Sequence, residues 1–256
     1  MPLINGTELE LDEVTKSFGG VKAIDAVSLS CAPGRIVSLI GPNGAGKTTL
    51  FNMISGFLKP DAGRIRFGKR DIVGLAPHLI ARTGIGRLFQ DGRVFPKLSV
   101  LDNVLVARRN QPGENPLLGF FAPQRVAVAE RENKNKALKQ LEVVGLVEMA
   151  EQLGESLSHG QQKLLAIARL LHSESVLFLL DEPTAGVSPE VIEQIRRVVR
   201  QLANEGRTVV VIEHNLGFVT SLSDWVYLLD DGQVAAFGTP HEVFADRVLH
   251  EAYLGV

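Results

Sequence analysis

Three short stretches of the chain carry residues suited to handling phosphate. Gly41-Pro42-Asn43-Gly44-Ala45-Gly46-Lys47-Thr48 follows the pattern G-x-x-x-x-G-K-[ST]. Its glycines let successive backbone N–H groups turn toward one anion at a helix N-terminus, which already carries partial positive charge. Lys47 is then placed to reach the outer phosphates of a nucleotide, and the Thr48 hydroxyl to hold Mg²⁺. Asp181-Glu182 closes the apolar run 176–180. Carboxylates at the end of a buried parallel strand lie where open α/β sheets bind ligands. There Asp181 suits the water shell of Mg²⁺, and Glu182, one residue on, suits polarisation of an attacking water. A third apolar run, 208–212, ends in Glu213-His214, which sets an imidazole at the same sheet edge to donate to a terminal phosphate and sense its presence.

A second anion site is written less sharply. Leu157-Ser158-His159-Gly160-Gln161-Gln162 precedes the amphipathic series Leu164, Leu165, Ile167, Ala168, Leu171. Ser158 reads as an N-cap and Gly160 as a residue of close approach, so this is either another phosphate-facing helix end or an ordinary capped helix. The remaining histidines show no metal-ligand spacing.

These groups need a scaffold to bring them together. Residues 36–40, a glycine loop and a helix over 48–55 closed by Gly56 make the opening of a parallel α/β unit. The runs 176–180 and 208–212 are wholly apolar or β-branched, the pattern of strands covered on both faces. Between them a helix starts at Ser188-Pro189 and ends before Gly206. Strand-like runs at 8–18 and 23–30 predict an antiparallel edge, and 225–229 with 234–237 a hairpin across Asp230-Asp231-Gly232. Residues 77–154 read mostly helical, with a capping box at Ser99 and Asp102, an irregular loop over 110–123, and a charged amphipathic helix over 126–144.

Composition bounds the function classes. The 256 residues include 27 Lys+Arg, 29 Asp+Glu and 45% hydrophobic residues, giving a net charge of −2. That is a globular chain with ample core material and no global pull toward nucleic acid or anionic lipid. Residues 61–109 hold 10 basic and 4 acidic side chains, whereas 174–256 hold 5 and 13. The basic stretch is either a solvated face or a docking surface for an acidic or backbone-rich partner; it lacks the aromatic interleaving of a nucleic-acid site. No apolar run nears the roughly 18 residues of a membrane span, and lone Cys31 forms no internal disulfide, so a reducing cytoplasm is expected.

Taken together, the phosphate loop, Leu88-Phe89-Gln90, Leu157-Ser158-x-Gly160-Gln161, Leu179-Leu180-Asp181-Glu182-Pro183-Thr184 and the following His214 resemble the ATP-binding cassette ATPases over essentially the whole chain. The resemblance implies a single P-loop NTPase domain of RecA-like type. It has an α/β core with an antiparallel β part over 1–90 and 155–256, and a helical subdomain over 91–154. It also implies two cassettes sandwiching two ATP molecules head to tail. Ser158, Gly160 and Gln161 of one cassette then face the nucleotide held by the other. Gln90 reaches Mg²⁺ and the attacking water and reports to a membrane subunit. Thr49 joins Gly41 through Thr48 on the nucleotide. Phe18 stands at the adenine-stacking position, its alternative being core packing.

Within the family, Phe51-Asn52, Ile54-Ser55-Gly56-Phe57, Ala185-Gly186-Val187-Ser188-Pro189, Ile212-Glu213-His214-Asn215 and Glu251-Ala252-Tyr253-Leu254-Gly255 are similar to the ATPase subunits of branched-chain amino acid importers. The partners implied are a second cassette, integral-membrane permeases and, through them, a periplasmic or extracellular solute-binding protein. The location implied is the inner face of the cell membrane. His159 and Ser188 depart from the subgroup, which has Tyr or Gly and often Asn there. A lipid or lipopolysaccharide exporter ATPase and a non-transport cassette share the catalytic motifs and are the alternatives; a kinase explains neither residues 157–162 nor His214.

Overall fold

The structure is a computed structural model and describes residues 7–89, 94–109 and 121–245. The chain divides into two compact units, 1–87 with 176–185 and 199–256, and 88–175 with 186–198.

The first unit contains two sheets. Strands β1 (Leu9–Phe18) and β2 (Val21–Cys31), joined at the Gly19-Gly20 turn, pair antiparallel with β4 (Ala62–Phe67) and β5 (Arg70–Asp71) in the order β2-β1-β4-β5. The second sheet holds β3 (Ile36–Ile40), β6 (Ile85–Leu88), β7 (Leu177–Asp181), β8 (Thr208–Ile212), β9 (Trp225–Asp230) and β10 (Gln233–Gly238), in the order β10-β9-β3-β8-β7-β6. Every residue of β3, β7 and β8 is buried, as their uninterrupted apolar sequences require. Inward faces of both sheets meet in one core that includes Leu9, Ile24, Phe51, Ile65, Leu179 and Tyr227. β9 and β10 form the expected hairpin.

Register positions the site. Leu39 pairs with Ile212, and Ile212 with Asp181, so the ends of three parallel strands share one row. The segments that leave this row carry the glycine loop, Glu182 and His214. Helix α1 (Lys47–Ile54) follows the loop. The stretch expected to be mostly helical holds α2 (Pro77–Arg82), but residues 85–88 are a strand. Four residues show no periodicity; pairing at the sheet edge, not the local sequence, makes β6.

In the second unit, α3 (Val100–Leu105) begins at Ser99, whose hydroxyl accepts from Asp102 N at 3.0 Å. Helix α4 (Pro123–Val143) starts earlier than the expected 126, because Pro123 is a first-turn proline and not the end of a loop. Helix α5 (His159–His172) packs with α3 and α4, so residues 159–172 group with the helical unit. Helix α6 (Pro189–Asn204) crosses the division, and α7 (Leu216–Leu222) and α8 (Pro240–Ala245) complete the first unit. Among the described residues no helix is long and apolar enough to cross a membrane.

Candidate active site

The phosphate loop is fixed by two glycine requirements. Gly41 has φ +147° and a Cβ there would collide with the Leu229 carbonyl; Gly46, the N-cap of α1, has φ +97°, and its Cβ would lie 2.5 Å from the Ala23 oxygen. Neither position accepts a side chain. Between them Pro42, Asn43 and Gly44 are solvent-accessible and Ala45 is buried, its N–H donating to Pro42 O at 3.3 Å. Lys47 is 6% exposed, and its ammonium donates to the Gly41 and Pro42 carbonyls, each at 2.8 Å. Burial lowers its pKa, and the nearby Glu182 and Asp181 charges oppose that shift. Thr48, exposed, and Thr49, half-buried, occupy the first turn of α1, where backbone N–H groups have no intrahelical acceptor.

Glu182 leaves β7 with φ +48°, a left-handed conformation that costs a non-glycine residue about 1–3 kcal/mol. Its own N–H donates to Ile212 O at 3.0 Å, which holds that geometry. The Glu182 Oε1 lies 3.1 Å from His214 Nε2, so the carboxylate and the imidazole at the ends of β7 and β8 are in contact. Asp181 is buried at the end of β7.

Two residues whose roles sequence reasoning missed organise this edge. Glu213, 2% exposed, accepts from the backbone N–H of Thr184 at 2.8 Å and of His214 at 3.2 Å, clamping both turns. Arg87 on β6 donates to Asp181 Oδ2 at 2.9 Å. No local motif marks either one, since their meaning comes from strands distant in sequence.

Phe18 is 49% exposed, which removes the core-packing alternative; Lys16 Nζ stands 5.7 Å from its ring centroid. Gln90 lies outside the described residues, as do most of the 110–123 loop and residues 251–255.

In the second unit, Ser158 caps α5 in a capping box: its Oγ accepts from Gln161 N at 3.3 Å, and Gln161 Oε1 accepts from Ser158 N at 2.9 Å. A Cβ on Gly160 would stand 3.0 Å from a Val191 methyl, so glycine seats this turn against α6. His159 is exposed.

The donor set suits Mg²⁺. A helix-end hydroxyl and a single strand-end carboxylate leave places for waters and substrate oxygens, as Mg²⁺ demands. Among the described residues no three His, Cys, Asp or Glu side chains form a closed cage.

Comparison with known proteins gives the lineage. A family profile described as ABC transporter matches residues 24–185. The chain is 38% identical over 248 residues to the high-affinity branched-chain amino acid transport ATP-binding protein BraF of Pseudomonas aeruginosa, covering 96% of this chain and 97% of that one. It is similar to a nucleotide-free ATP-binding cassette from an ABC transporter, with TM-score 0.83, 36% identity, and 98% and 100% of the two chains covered. It is also similar to a dimeric cassette in a post-hydrolysis state bound to ADP and Pi, with TM-score 0.75, 29% identity, and 91% and 98% covered. With a phosphate loop, a strand-end carboxylate pair and a downstream histidine gathered at one sheet edge, the chain belongs to the ABC transporter family as one of its P-loop ATPases.

Proposed function

We propose that the chain is the ATP-hydrolysing subunit of an importer for branched-chain or chemically similar amino acids. It would work at the inner face of the cell membrane with permease subunits, a second cassette and, indirectly, a solute-binding protein. The observation carrying this reading is the contact between Glu182 and His214 in the row that also launches the phosphate loop. The full-length similarity to BraF supports the solute class and does not favour a lipid exporter.

The residues divide the work. Backbone N–H groups from Gly41 to Thr49 cradle the phosphates, with Phe18 under the base. Lys47 exchanges its loop carbonyls for phosphate oxygens, a cheap exchange because its ammonium is already desolvated. Glu182 accepts from the attacking water, and His214, oriented by Glu182, faces the terminal phosphate. Thr48, Asp181 and Gln90 would hold Mg²⁺, which when bound would supply positive charge to the phosphate oxygens. Ser158, Gly160 and Gln161 meet the nucleotide of the second cassette. The capping box uses Ser158 Oγ and Gln161 Oε1 only as acceptors, so the Ser158 hydroxyl and the Gln161 amide nitrogen keep their hydrogens to donate to that phosphate. ATP thereby bridges two chains, and its hydrolysis removes the bridge, giving the dimer states different affinities for ATP and ADP. The basic stretch 61–109 and the Gln90 region are the surface offered to the permease.

Glu182→Gln tests this directly. Hydrolysis should fall about 10²–10⁴-fold while nucleotide affinity persists and a dimer accumulates with ATP and Mg²⁺ on size-exclusion chromatography. Hydrolysis at the original rate would overturn the assignment of Glu182. Capture of the tagged variant from detergent-solubilised native membranes should bring down polytopic permeases with an amino-acid-binding protein; lipid-export components instead would overturn the importer reading.

A further inference from the structure

Arg87 and Asp181 form an ion pair withdrawn from water, their side chains 6% and 9% exposed. The guanidinium does more than neutralise. While Nη2 donates to Asp181 Oδ2 at 2.9 Å, Nη1 donates to Asn52 Oδ1 at 2.7 Å and to Ser55 Oγ at 3.0 Å, and the Phe51 ring lies 5.6 Å from the guanidinium carbon. Asn52 belongs to α1 and Ser55 is its C-cap. One planar fork therefore ties the helix that begins at the phosphate loop to the tip of β7.

Such a pair is a poor device for stability alone, because apolar residues of equal volume are often as good or better in its place. It does what no apolar pair does, which is to orient a carboxylate. The terminal torsion of aspartate is soft and broadly two-fold, so an untethered Asp181 would share its time among rotations. With Oδ2 bonded to a guanidinium that is itself fixed at α1, Oδ1 is the oxygen offered to a hydrated cation.

We propose that Arg87 is a positioning residue that aims Asp181 at Mg²⁺ and so sets how strongly the site depends on that ion. The proposal rests on the reading of Asp181 above. Conserving charge is not enough for this role: a lysine ammonium is a point donor and does not reproduce a planar fork shared among Asp181, Asn52 and Ser55.

The experiment is a titration of the intact chain with a fluorescent ATP analogue, with EDTA and then across Mg²⁺ concentrations. It uses wild type, Arg87→Lys and Asn52→Ala; the last loosens the guanidinium while leaving the ion pair and the net charge in place. In Arg87→Lys the Mg²⁺ concentration giving half the full effect should rise about tenfold, the scale for losing a partner of a metal-facing carboxylate, and in Asn52→Ala about threefold. Affinity without Mg²⁺ should stay within about twofold of wild type, since the phosphate loop and Lys47 are intact. Unchanged Mg²⁺ dependence in both variants beside a Mg²⁺-dependent wild type would overturn the proposal alone. So would an equal loss with and without Mg²⁺, the mark of a purely structural contact. A wild-type chain that binds the analogue without regard to Mg²⁺ would overturn the underlying reading of Asp181 together with the proposal.

Discussion

At the scale of single residues, the site is built by backbone constraint as much as by reactive groups. Glu182 sits in a left-handed conformation and stays there because its N–H is bonded to Ile212 and the next turn is bonded to Glu213. Strain of this kind persists where the surroundings over-determine it. Glu213 is thus a support whose loss should be visible apart from nucleotide binding. Glu213→Gln replaces a charged acceptor by a neutral one with a single accepting oxygen. It should lower the unfolding free energy by about 1–3 kcal/mol in denaturant titration, and slow hydrolysis while leaving nucleotide affinity within about twofold. A variant as stable and as active as wild type would remove the clamp from the account.

At the scale of elements, what could be read in advance was what is local. The glycine loop, the apolar strands β3, β7 and β8, the β9–β10 hairpin and the caps at Ser99 and Ser158 each carry their own signal within a few residues. The strand β6 does not; it is short, and its pairing partner β7 lies far along the chain. Arg87 and Glu213 were illegible for the same reason, since an arginine in a basic stretch and a glutamate before a histidine look like surface residues until the strands assemble. Where the signal is local, so is the energetics. Ser158→Ala removes the side-chain half of the α5 capping box and should cost about 1 kcal/mol in thermal unfolding, while Ser158→Thr should retain most of it. Equal melting of all three chains would mean that packing, not the cap, holds that helix start.

At the scale of the whole molecule, a buried histidine contributes to the response to acid. His172 is 4% exposed, with Nε2 2.8 Å from Asn133 Oδ1, and burial together with the Arg108 charge depresses its pKa from 6.5 to about 4; Lys136 acts the same way and Glu174 opposes. Above pH 6.5 both folded and unfolded chains hold it neutral and it costs nothing. As the pH falls below 6.5 the unfolded chain takes up a proton that the folded one refuses, so stability drains away until the folded imidazole also titrates near 4, a loss of about 3 kcal/mol. His172→Gln should flatten that part of the stability profile between pH 6.5 and 4, as followed by denaturant midpoints; an unchanged profile would place the acid sensitivity elsewhere. The sheet register bears on timing as well. Ile36 pairs with Val209 and Val37 with Trp225, so the strand that launches the phosphate loop waits for partners made far later along the chain. Until β8 and β9 have left the ribosome, β3 is an unpaired apolar segment, and His214 does not yet exist beside it. A growing chain therefore has no assembled site with which to consume ATP until β8, His214 and β9 have been made, and its hydrolytic competence waits on that long-range pairing.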